Sequence, residues 1–362
     1  GQFEAFPTTG NSSITEFTFV CSNFYDSDQR LRYSFYYKQS EGDSLISLST
    51  KTLSNKVKTI LPPPENADQL IIVARVFDQF DAYTSVETTV TVKAPKPEQA
   101  LNTAKDQFDT KLKESVENDD KEAITQNALS ISSTLNIKRN SNQTNTDIDN
   151  DNGDDQEESK KCLNDCSGNG ECIDGKCKCD SGYVKSDCSL TENELEEKKD
   201  LRKKVLDVVS KSFTESKNEK LPSKEEIIQQ SSIVSSIIKD PEETDTNLQE
   251  KSADFVDQIL STVQSVDQSN IIETVELDEE IREKLSETIS SLVNAAFRKI
   301  ENSDSNTNEQ IKQKRISTKI RNSKSNLLRK ILQNVLIGEN PIKNVQQNIQ
   351  SIIQKQRASI LN

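Results

Sequence analysis

The sequence predicts a multidomain fold, in which a β-sandwich is followed by an α-helical bundle that carries a small disulfide-rich insertion. Three observations support this fold class. Apolar residues alternate with polar ones over the first 95 residues and then recur every three or four residues. Six of the seven cysteines lie within 27 residues. The chain of 362 residues is long enough for about two or three domains, and with 32% hydrophobic and 5% aromatic residues it is not expected to form one large core.

The composition excludes several classes of function. With 46 basic and 60 acidic residues, the net charge of −14 argues against nucleic acid as a partner. Histidine is absent, which excludes Ser-His-Asp and Cys-His nucleophiles and histidine metal sites. The longest near-apolar run, residues 70–77, is far shorter than the roughly 20 residues of a membrane helix. We expect no enzyme activity, catalytic residue, cofactor, metal ion or membrane insertion within this chain; an enzyme built on paired carboxylates is the catalytic alternative.

Residues 1–95 form the predicted β-sandwich. Turn signals at Glu41-Gly42-Asp43 and Pro62-Pro63-Pro64 separate its strands. Short strands at this spacing are typical of sandwiches. Five runs have strand character, at residues 14–21, 31–38, 44–48, 70–77 and 86–92.

Several short motifs in this region resemble the last part of a REJ module. They are Phe17-Thr18-Phe19-Val20-Cys21, Asp26, residues 31–37, Leu61-Pro62, residues 73–78 and Val90-Thr91-Val92. REJ (receptor for egg jelly) modules occur in polycystin-type proteins and are relatives of PKD and fibronectin-III sandwiches. The resemblance therefore implies an Ig/PKD-like sandwich in an ectodomain. REJ-like modules commonly have a cysteine at the position of Cys21, which favours a buried thiol over a bridge to a partner chain.

From residue 96 onward the pattern becomes helical. Residues 96–138 are predicted to form the first helical pair, and residues 190–362 the rest of a bundle of six to eight helices. Capping boxes at Thr191 with Glu194 and at Ser223 with Glu226, and Pro after Asn340, mark helix starts. The region is similar in composition and order to the helical half of a GAIN domain, but no self-cleavage motif occurs. The apolar stripes cover residues 101–116, 124–135, 201–209, 255–266, 281–300, 328–335 and 345–353.

Residues 139–160 lose all periodicity and are predicted to be an acidic disordered linker. Residues 147–158 contain seven acids and no base. The alternative is an EF-hand-like loop with ligands at Asp147, Asp149, Asp151 and Glu158. Gly153 is one position too late for the turn that such a loop needs, so the linker is preferred.

The six clustered cysteines predict a disulfide-rich module over residues 161–189. Their spacing is C-x3-C-x5-C-x4-C-x-C-x8-C, and an even number in so short a stretch is typical of a disulfide framework. Zinc is the alternative, but the paired C-x2-C spacing of zinc sites is missing. The spacing alone leaves 15 pairings open. The cysteines are Cys162, Cys166, Cys172, Cys177, Cys179 and Cys188.

The residues between these cysteines resemble an EGF-like module of the tenascin or laminin type. The resemblance rests on Ser167-Gly168-Asn169-Gly170, Gly175, Cys177-Lys178-Cys179 and Gly182-Tyr183. It implies the pairs Cys162–Cys172, Cys166–Cys177 and Cys179–Cys188. The pattern departs at Lys185, where the family commonly has glycine, and the acidic cluster of calcium-binding members is missing.

Disulfides and two glycosylation sequons indicate an extracellular or cell-surface location, including the surface of a cilium or flagellum. The sequons are at Asn11 and Asn142. Because the chain has no methionine, even at position 1, and no signal peptide, we expect a processed product or a segment of a longer protein.

A basic run near the end of the chain is the remaining candidate site. Residues 310–338 contain eight bases and no acid. The run either faces the acidic stretch 273–287 within the bundle or contacts a polyanion such as a glycan. No aromatic residues interleave the bases, which argues against nucleic acid. The candidate contact residues are Lys312, Lys314, Arg315, Lys319, Arg321 and Lys324.

These features predict a non-catalytic structural or adhesive segment of a cell-surface glycoprotein. We expect it to assemble with itself or with other surface or matrix glycoproteins, glycans included. Exposed apolar edges at Ile227, Val234 and Ile238 and over residues 349–353 are predicted to mediate this contact. The alternative is the ectodomain of a polycystin-type mechanosensory or ligand-binding receptor.

Overall fold

The structure, a computed structural model, describes residues 1–26, 30–65, 68–138, 161–219, 221–264, 275–301, 307–334, 342–346 and 349–353. Three predictions lie outside these residues. They are the acidic linker 139–160 with its EF-hand-like alternative, the sequon at Asn142 and the helix start at Asn340-Pro341.

In the described part of the first 93 residues, eight strands form two sheets. One sheet has the order β1-β3-β6 and is antiparallel. The other has the order β2-β8-β7-β4-β5, in which only the β2–β8 pair is parallel. The predicted strand runs correspond to β3, β4, β5, β7 and β8, whereas β1, β2 and β6 were not predicted because they are short or rich in polar residues. The strands are β1 Gln2–Phe6, β2 Thr9–Asn11, β3 Glu16–Ser22, β4 Arg32–Lys38, β5 Ile46–Ser47, β6 Lys56–Ile60, β7 Gln69–Phe77 and β8 Tyr83–Lys93.

Strand β4 shows how the sheets and the helices meet. Its successive side chains point to opposite sides of the sheet. Phe35 contacts Phe3 of the other sheet, with 6.1 Å between the ring centres. Tyr36 lies on the opposite face, and its hydroxyl donates a hydrogen bond to Glu225 of the helical region. Because both faces are covered, almost every residue of β4 is buried.

Eight α-helices follow in the described residues. A π-helical turn, Phe108–Leu112, joins α1 to α2 without a break. Side-chain caps start several helices: Asp120 caps α3, Ser223 and Glu226 form the predicted capping box of α5, and Asp245 caps α6. The helices are α1 Ala100–Gln107, α2 Lys113–Glu117, α3 Lys121–Leu135, α4 Glu192–Glu219, α5 Lys224–Ile237, α6 Thr246–Thr262, α7 Glu279–Glu301 and α8 Thr307–Asn334.

The buried apolar side chains of the strands and the helices form one continuous cluster. Ile227, Val234 and Ile238 belong to it and are at most 1% exposed. The prediction that these residues form an exposed edge was therefore wrong. The reason is that α5 packs against α3, α4, α6, α7 and β5, so it has neighbours on several sides and its apolar face is covered.

Short strands complete the architecture. The module of residues 161–189 contains β9 Gly170–Ile173 paired with β10 Lys176–Cys179. Its third strand, β11 Tyr183–Val184, pairs with β12 Leu190–Thr191, which directly follows the module. β13 Val263–Gln264 pairs in parallel with β14 Val275–Glu276. Among the described helices, none is long and apolar enough to cross a bilayer.

Residues 342–346 and 349–353 form two paired strands, so the helix predicted over 345–353 is wrong. Strand β15 Ile342–Gln346 pairs antiparallel with β16 Ile349–Ile353. Four of the apolar residues here, Val345, Ile349, Ile352 and Ile353, are β-branched. Such side chains lose rotamer freedom in a helix and favour strands. The helical spacing of these residues was coincidental.

Candidate functional site

The module (residues 161–189) is closed by three disulfides. They join Cys162 to Cys172, Cys166 to Cys177 and Cys179 to Cys188. These are the pairs that the EGF-like resemblance implies. The sulfur atoms of Cys162, Cys166 and Cys177 lie within 4.8 Å of one another. Because all three are in disulfides, they offer no thiolate to a metal ion.

Lys185 attaches the module to the helices. Its backbone has φ 76°, a left-handed conformation that favours glycine and costs other residues roughly 1–2 kcal/mol. Its Nζ lies 2.7 Å from Oδ2 of Asp240 and 3.1 Å from Oε1 of Glu243. The lysine side chain thus reaches acidic residues outside the module.

Glu243 is the centre of this contact, and we call Glu243 with Lys185, Lys198, Arg202 and Asp240 the Glu243 cluster. Glu243 lies at the end of a 3-10 turn, Pro241–Glu243, and is 2% exposed. Its Oε1 accepts a hydrogen bond from Lys198 at 2.8 Å, and its Oε2 accepts one from Arg202 at 2.5 Å. Arg202 is fully buried. One carboxylate thus joins the module to two bases of α4.

The charges of the cluster set its pKa values. Burial alone would raise the pKa of Glu243, but Arg202, Lys198 and Lys185 hold it well below its usual range. Burial, with Arg202 nearby, lowers the pKa of Lys198, although Glu243 opposes this. Burial would also lower the pKa of Lys185, but Glu243 and Asp240 raise it. Lys185 is bound by two carboxylates, whereas Lys198 is bound by one and lies near Arg202. The pKa values of the two lysines therefore shift in opposite directions.

Backbone groups complete this contact. The carbonyl oxygen of Leu135, at the end of α3, accepts hydrogen bonds from Lys198 and Arg202. In the module, the Ser186 amide and hydroxyl both donate to Glu242. A cleft of about 460 Å³ remains between the module and the helices. The contact therefore ties together the end of α3, the module and the start of α4.

A second, partly buried ion pair joins the sheets to the helices. The guanidinium of Arg75 on β7 donates two hydrogen bonds to Glu280 of α7, at 3.0 and 2.5 Å. It also lies over the rings of Tyr36 and Tyr83, at 4.9 and 4.7 Å from their centres. Burial opposes the shift, but hydrogen bonds from Arg75 and then Lys224 lower the pKa of Glu280 to about 2.

The predicted basic run lies on α8, where only part of it is paired. Lys319 binds Glu250 and Asp254 of α6, at 3.0 and 2.6 Å, and Arg315 binds Glu250 at 3.2 Å. Among the described residues, the acidic partner of Lys319 and Arg315 is therefore α6 and not the predicted stretch 273–287, where Glu280 binds Arg75 and Lys224.

Other bases of this run do not bind α6 through an ion pair between described residues. Lys312 is exposed and has an interaction partner. Lys314, Arg321 and Arg329 are exposed and Lys324 is half-buried, and none of the four forms an ion pair with a described residue. The run therefore divides into a paired side and a side without partners in the described part of the chain.

The remaining candidates lie in the sheets. Asn11 is exposed, as a glycosylated asparagine must be. The hydroxyl of Ser13 in the same sequon is buried and forms hydrogen bonds with Ser130 and Thr134 of α3.

Cys21 is the one described cysteine outside a disulfide. Burial raises its pKa to about 12, which keeps the thiol protonated and unreactive.

Sequence reasoning did not find Glu243, Arg202 or Arg75. Arg75 and Arg202 stand next to apolar residues, as an ordinary surface residue of a strand or helix does, and Glu243 is one of four acids in the run 240–245. The one sequence feature that pointed to this contact was Lys185, a lysine at a position where EGF-like modules commonly have glycine.

Comparison with known proteins decides the identity of the first part of the chain. The family model of the REJ domain matches residues 1–130. The resemblance to a REJ module is confirmed. The match covers both sheets, α1, α2 and most of α3. No curated protein and no solved structure matches the chain.

Proposed function

We propose that this chain is a non-catalytic ectodomain segment of a polycystin-type cell-surface protein. The REJ match over residues 1–130 carries this proposal, because REJ domains are extracellular parts of such proteins. The matched strands share one hydrophobic cluster with helices beyond the match. The helices therefore belong to the same ectodomain unit as the REJ domain.

The chemistry of the chain supports an extracellular and non-catalytic role. Three disulfides are typical of an oxidising compartment. The chain has no histidine. Its two most strongly perturbed carboxyl groups, Glu243 and Glu280, are held ionised by bases. A carboxylate fixed in this way does not exchange protons near neutral pH, as a general acid or base must.

The ion pairs support a structural role within that ectodomain. The Glu243 cluster holds the module on the helices, and Arg75 with Glu280 holds the sheets on them. We propose that the sandwich is of the Ig/PKD type, that the module is an EGF-like insertion, and that the helices correspond to the helical half of a GAIN domain. The unit would transmit force or present ligands for a membrane part elsewhere in the protein.

The test is the location and topology of the protein in its own cells. An antibody raised against the module should label intact, unpermeabilised cells, with an antibody to a cytosolic protein as the negative control. Peptide mapping without reduction should recover the three disulfide-linked pairs. Labelling only after permeabilisation, or free thiols at the six cysteines, would contradict the proposal.

A second proposed function is adhesion by self-assembly. The apolar edge of α5 does not support it, since that edge is buried. The unpaired bases of α8 do, because an exposed basic surface on a chain of charge −14 attracts acidic surfaces of neighbouring copies.

A further inference from the structure

The first of two complementary surfaces lies on the outer side of α8. We define the basic face as Lys314, Arg321, Lys324 and Arg329. Lys314, Arg321 and Arg329 are seven and eight residues apart, close to two helical turns each, so they share one side of the helix. They extend over roughly 22 Å at 1.5 Å per residue. The opposite side of α8 packs on α6 and α7.

The second surface is the connection between α2 and α3. We define the acidic turn as Glu114, Glu117, Asp119, Asp120 and Glu122. All five are exposed, and none forms an ion pair with a described residue. Asp120 uses its carboxylate only to cap α3.

The surroundings of Glu122 disfavour its ionised form. The side chain is exposed but borders a cleft beside α4. Desolvation there, and then the charges of Asp120 and Glu226, raise its pKa. A base brought to the turn would relieve this repulsion.

These two surfaces belong to different parts of the molecule. The acidic turn belongs to helices that pack on α1, α4 and α5, whereas α8 packs on α6 and α7. We propose that the acidic turn of one copy of this chain docks on the basic face of the next copy. The proposal deepens the self-assembly proposed above by naming the two surfaces and the partner.

The contact is heterologous, because each chain offers two different surfaces. Such contacts repeat from copy to copy and form rings or filaments. The contact is polar, so its strength depends on ionic strength. At about 0.01 M salt the screening length is about 30 Å, and at about 1 M it is about 3 Å.

Sedimentation of the purified full chain tests the proposal. We expect association at about 0.01 M salt and dissociation at about 1 M. The variant Lys314→Glu with Arg321→Glu and the variant Glu114→Lys with Glu117→Lys should each weaken association by about tenfold. Since glutamate and lysine have similar helix propensity, neither variant should lose its fold.

The mixture of the two variants is the decisive experiment. The chain that carries all four substitutions has no intact surface and should stay monomeric, because its basic face is left without net charge and its acidic turn keeps little. An equimolar mixture of the two variants should form a heterodimer, because the intact acidic turn of one variant meets the intact basic face of the other. The matched control, Lys96→Glu with Lys178→Glu, changes the charge by the same amount at exposed lysines outside both surfaces and should behave like the unchanged chain.

Several results would overturn the proposal. A chain that stays monomeric at about 0.01 M salt has no such contact. Oligomers that survive either reversal use another surface. Retention of a monomeric chain on immobilised heparin, lost in the Lys314→Glu and Arg321→Glu variant, would assign the basic face to a glycan instead. None of these results bears on where the protein is located, so the REJ ectodomain proposal is tested separately.

Discussion

The β-sheets and the disulfide-rich module both pack on the helices, but different interactions hold them there. The sheets contribute many apolar side chains to the common hydrophobic cluster, among them Phe19, Phe35 and Leu70. The module contributes none, and its contact with the helices is carried by Lys185 and Ser186. Three disulfides hold the module together inside.

The difference follows from size. A module of about 30 residues is too small to bury a sufficient apolar core, so covalent bonds replace it. Its exposed apolar side chains, Leu163 and Ile173, do not enter the common hydrophobic cluster, and its contact with the helices is made by polar groups. Buried ion pairs have a directional geometry but cost desolvation energy, so they position a contact more than they stabilise it. The sheets and helices should therefore unfold together, and the module should respond separately.

The largest expected effect is that of Glu243→Gln. This variant leaves three cations near Asp240 without their central carboxylate, and Arg202 is fully buried. Breaking a buried pair in this way costs about 3–5 kcal/mol. Urea unfolding followed by far-UV circular dichroism measures the free energy of unfolding.

The matched control for this experiment is Glu242→Gln. Glu242 is only half-buried and accepts hydrogen bonds from Ser186, so its loss should cost about 1 kcal/mol or less. Equal losses for the two variants would show that the Glu243 cluster is not the centre of the contact.

The next largest effect tests whether the module unfolds separately from the sheets and helices. Replacing Cys166 and Cys177 by serine should destabilise the module by about 2–4 kcal/mol, because the unfolded loop regains its freedom. The thermal unfolding of sheets and helices should change little, since no module side chain enters the common cluster. Proteolysis read by mass spectrometry should find new cuts within residues 161–189 only. New cuts in α5 or β4 would contradict the separation.

A smaller effect distinguishes the backbone of Lys185 from its side chain. Lys185→Gly removes the left-handed strain and the ion pairs together, whereas Lys185→Met removes only the ion pairs. Both variants should speed hydrogen exchange of the Ser186 amide, which is held by Glu242. The glycine variant should keep the module itself about 1 kcal/mol more stable than the methionine variant. Slow exchange in both variants would mean that Lys185 does not hold the module.

The last effect concerns acid and the junction between the sheets and the helices. Glu280 has an ordinary pKa of 4.5 that Arg75 and Lys224 lower to about 2 in the folded chain. As the pH falls, the Glu280 carboxylate therefore takes up a proton in the unfolded chain before it does so in the folded chain. The stability that Glu280 contributes is present above pH 4.5 and is lost as the pH falls toward 2.

Glu280→Gln tests this assignment. In the variant the stability should be lower at neutral pH and should fall less steeply between pH 4.5 and 2. Glu279→Gln, a more exposed neighbour, is the control. Identical acid profiles for the chain and the Glu280 variant would place the acid sensitivity elsewhere, with the Glu243 cluster as the next candidate.

The sequence by itself determined the features that depend on neighbours along the chain. Alternation in β3, β4, β7 and β8, the capping box of α5 and the clustered cysteines of the module are local patterns, and each led to the element or disulfide-rich module that the structure has. The cysteine pairing itself was implied only by the EGF-like resemblance. The motifs around Cys21 and Val73 pointed to the REJ family, which the match over residues 1–130 confirms.

Only the tertiary structure decided which distant groups meet. A charged residue in a sequence does not indicate which opposite charge it will bind. Lys319 could have faced residues 273–287, but it binds α6. Glu280 binds Arg75, on a strand more than 200 positions earlier. Burial of α5 depends on the neighbours that surround it, and those are set by packing and not by its own stripe. The strand pair of residues 342–346 and 349–353 follows the same reasoning, because five-residue segments rich in isoleucine suit either a helix or a strand until a partner strand pairs with them.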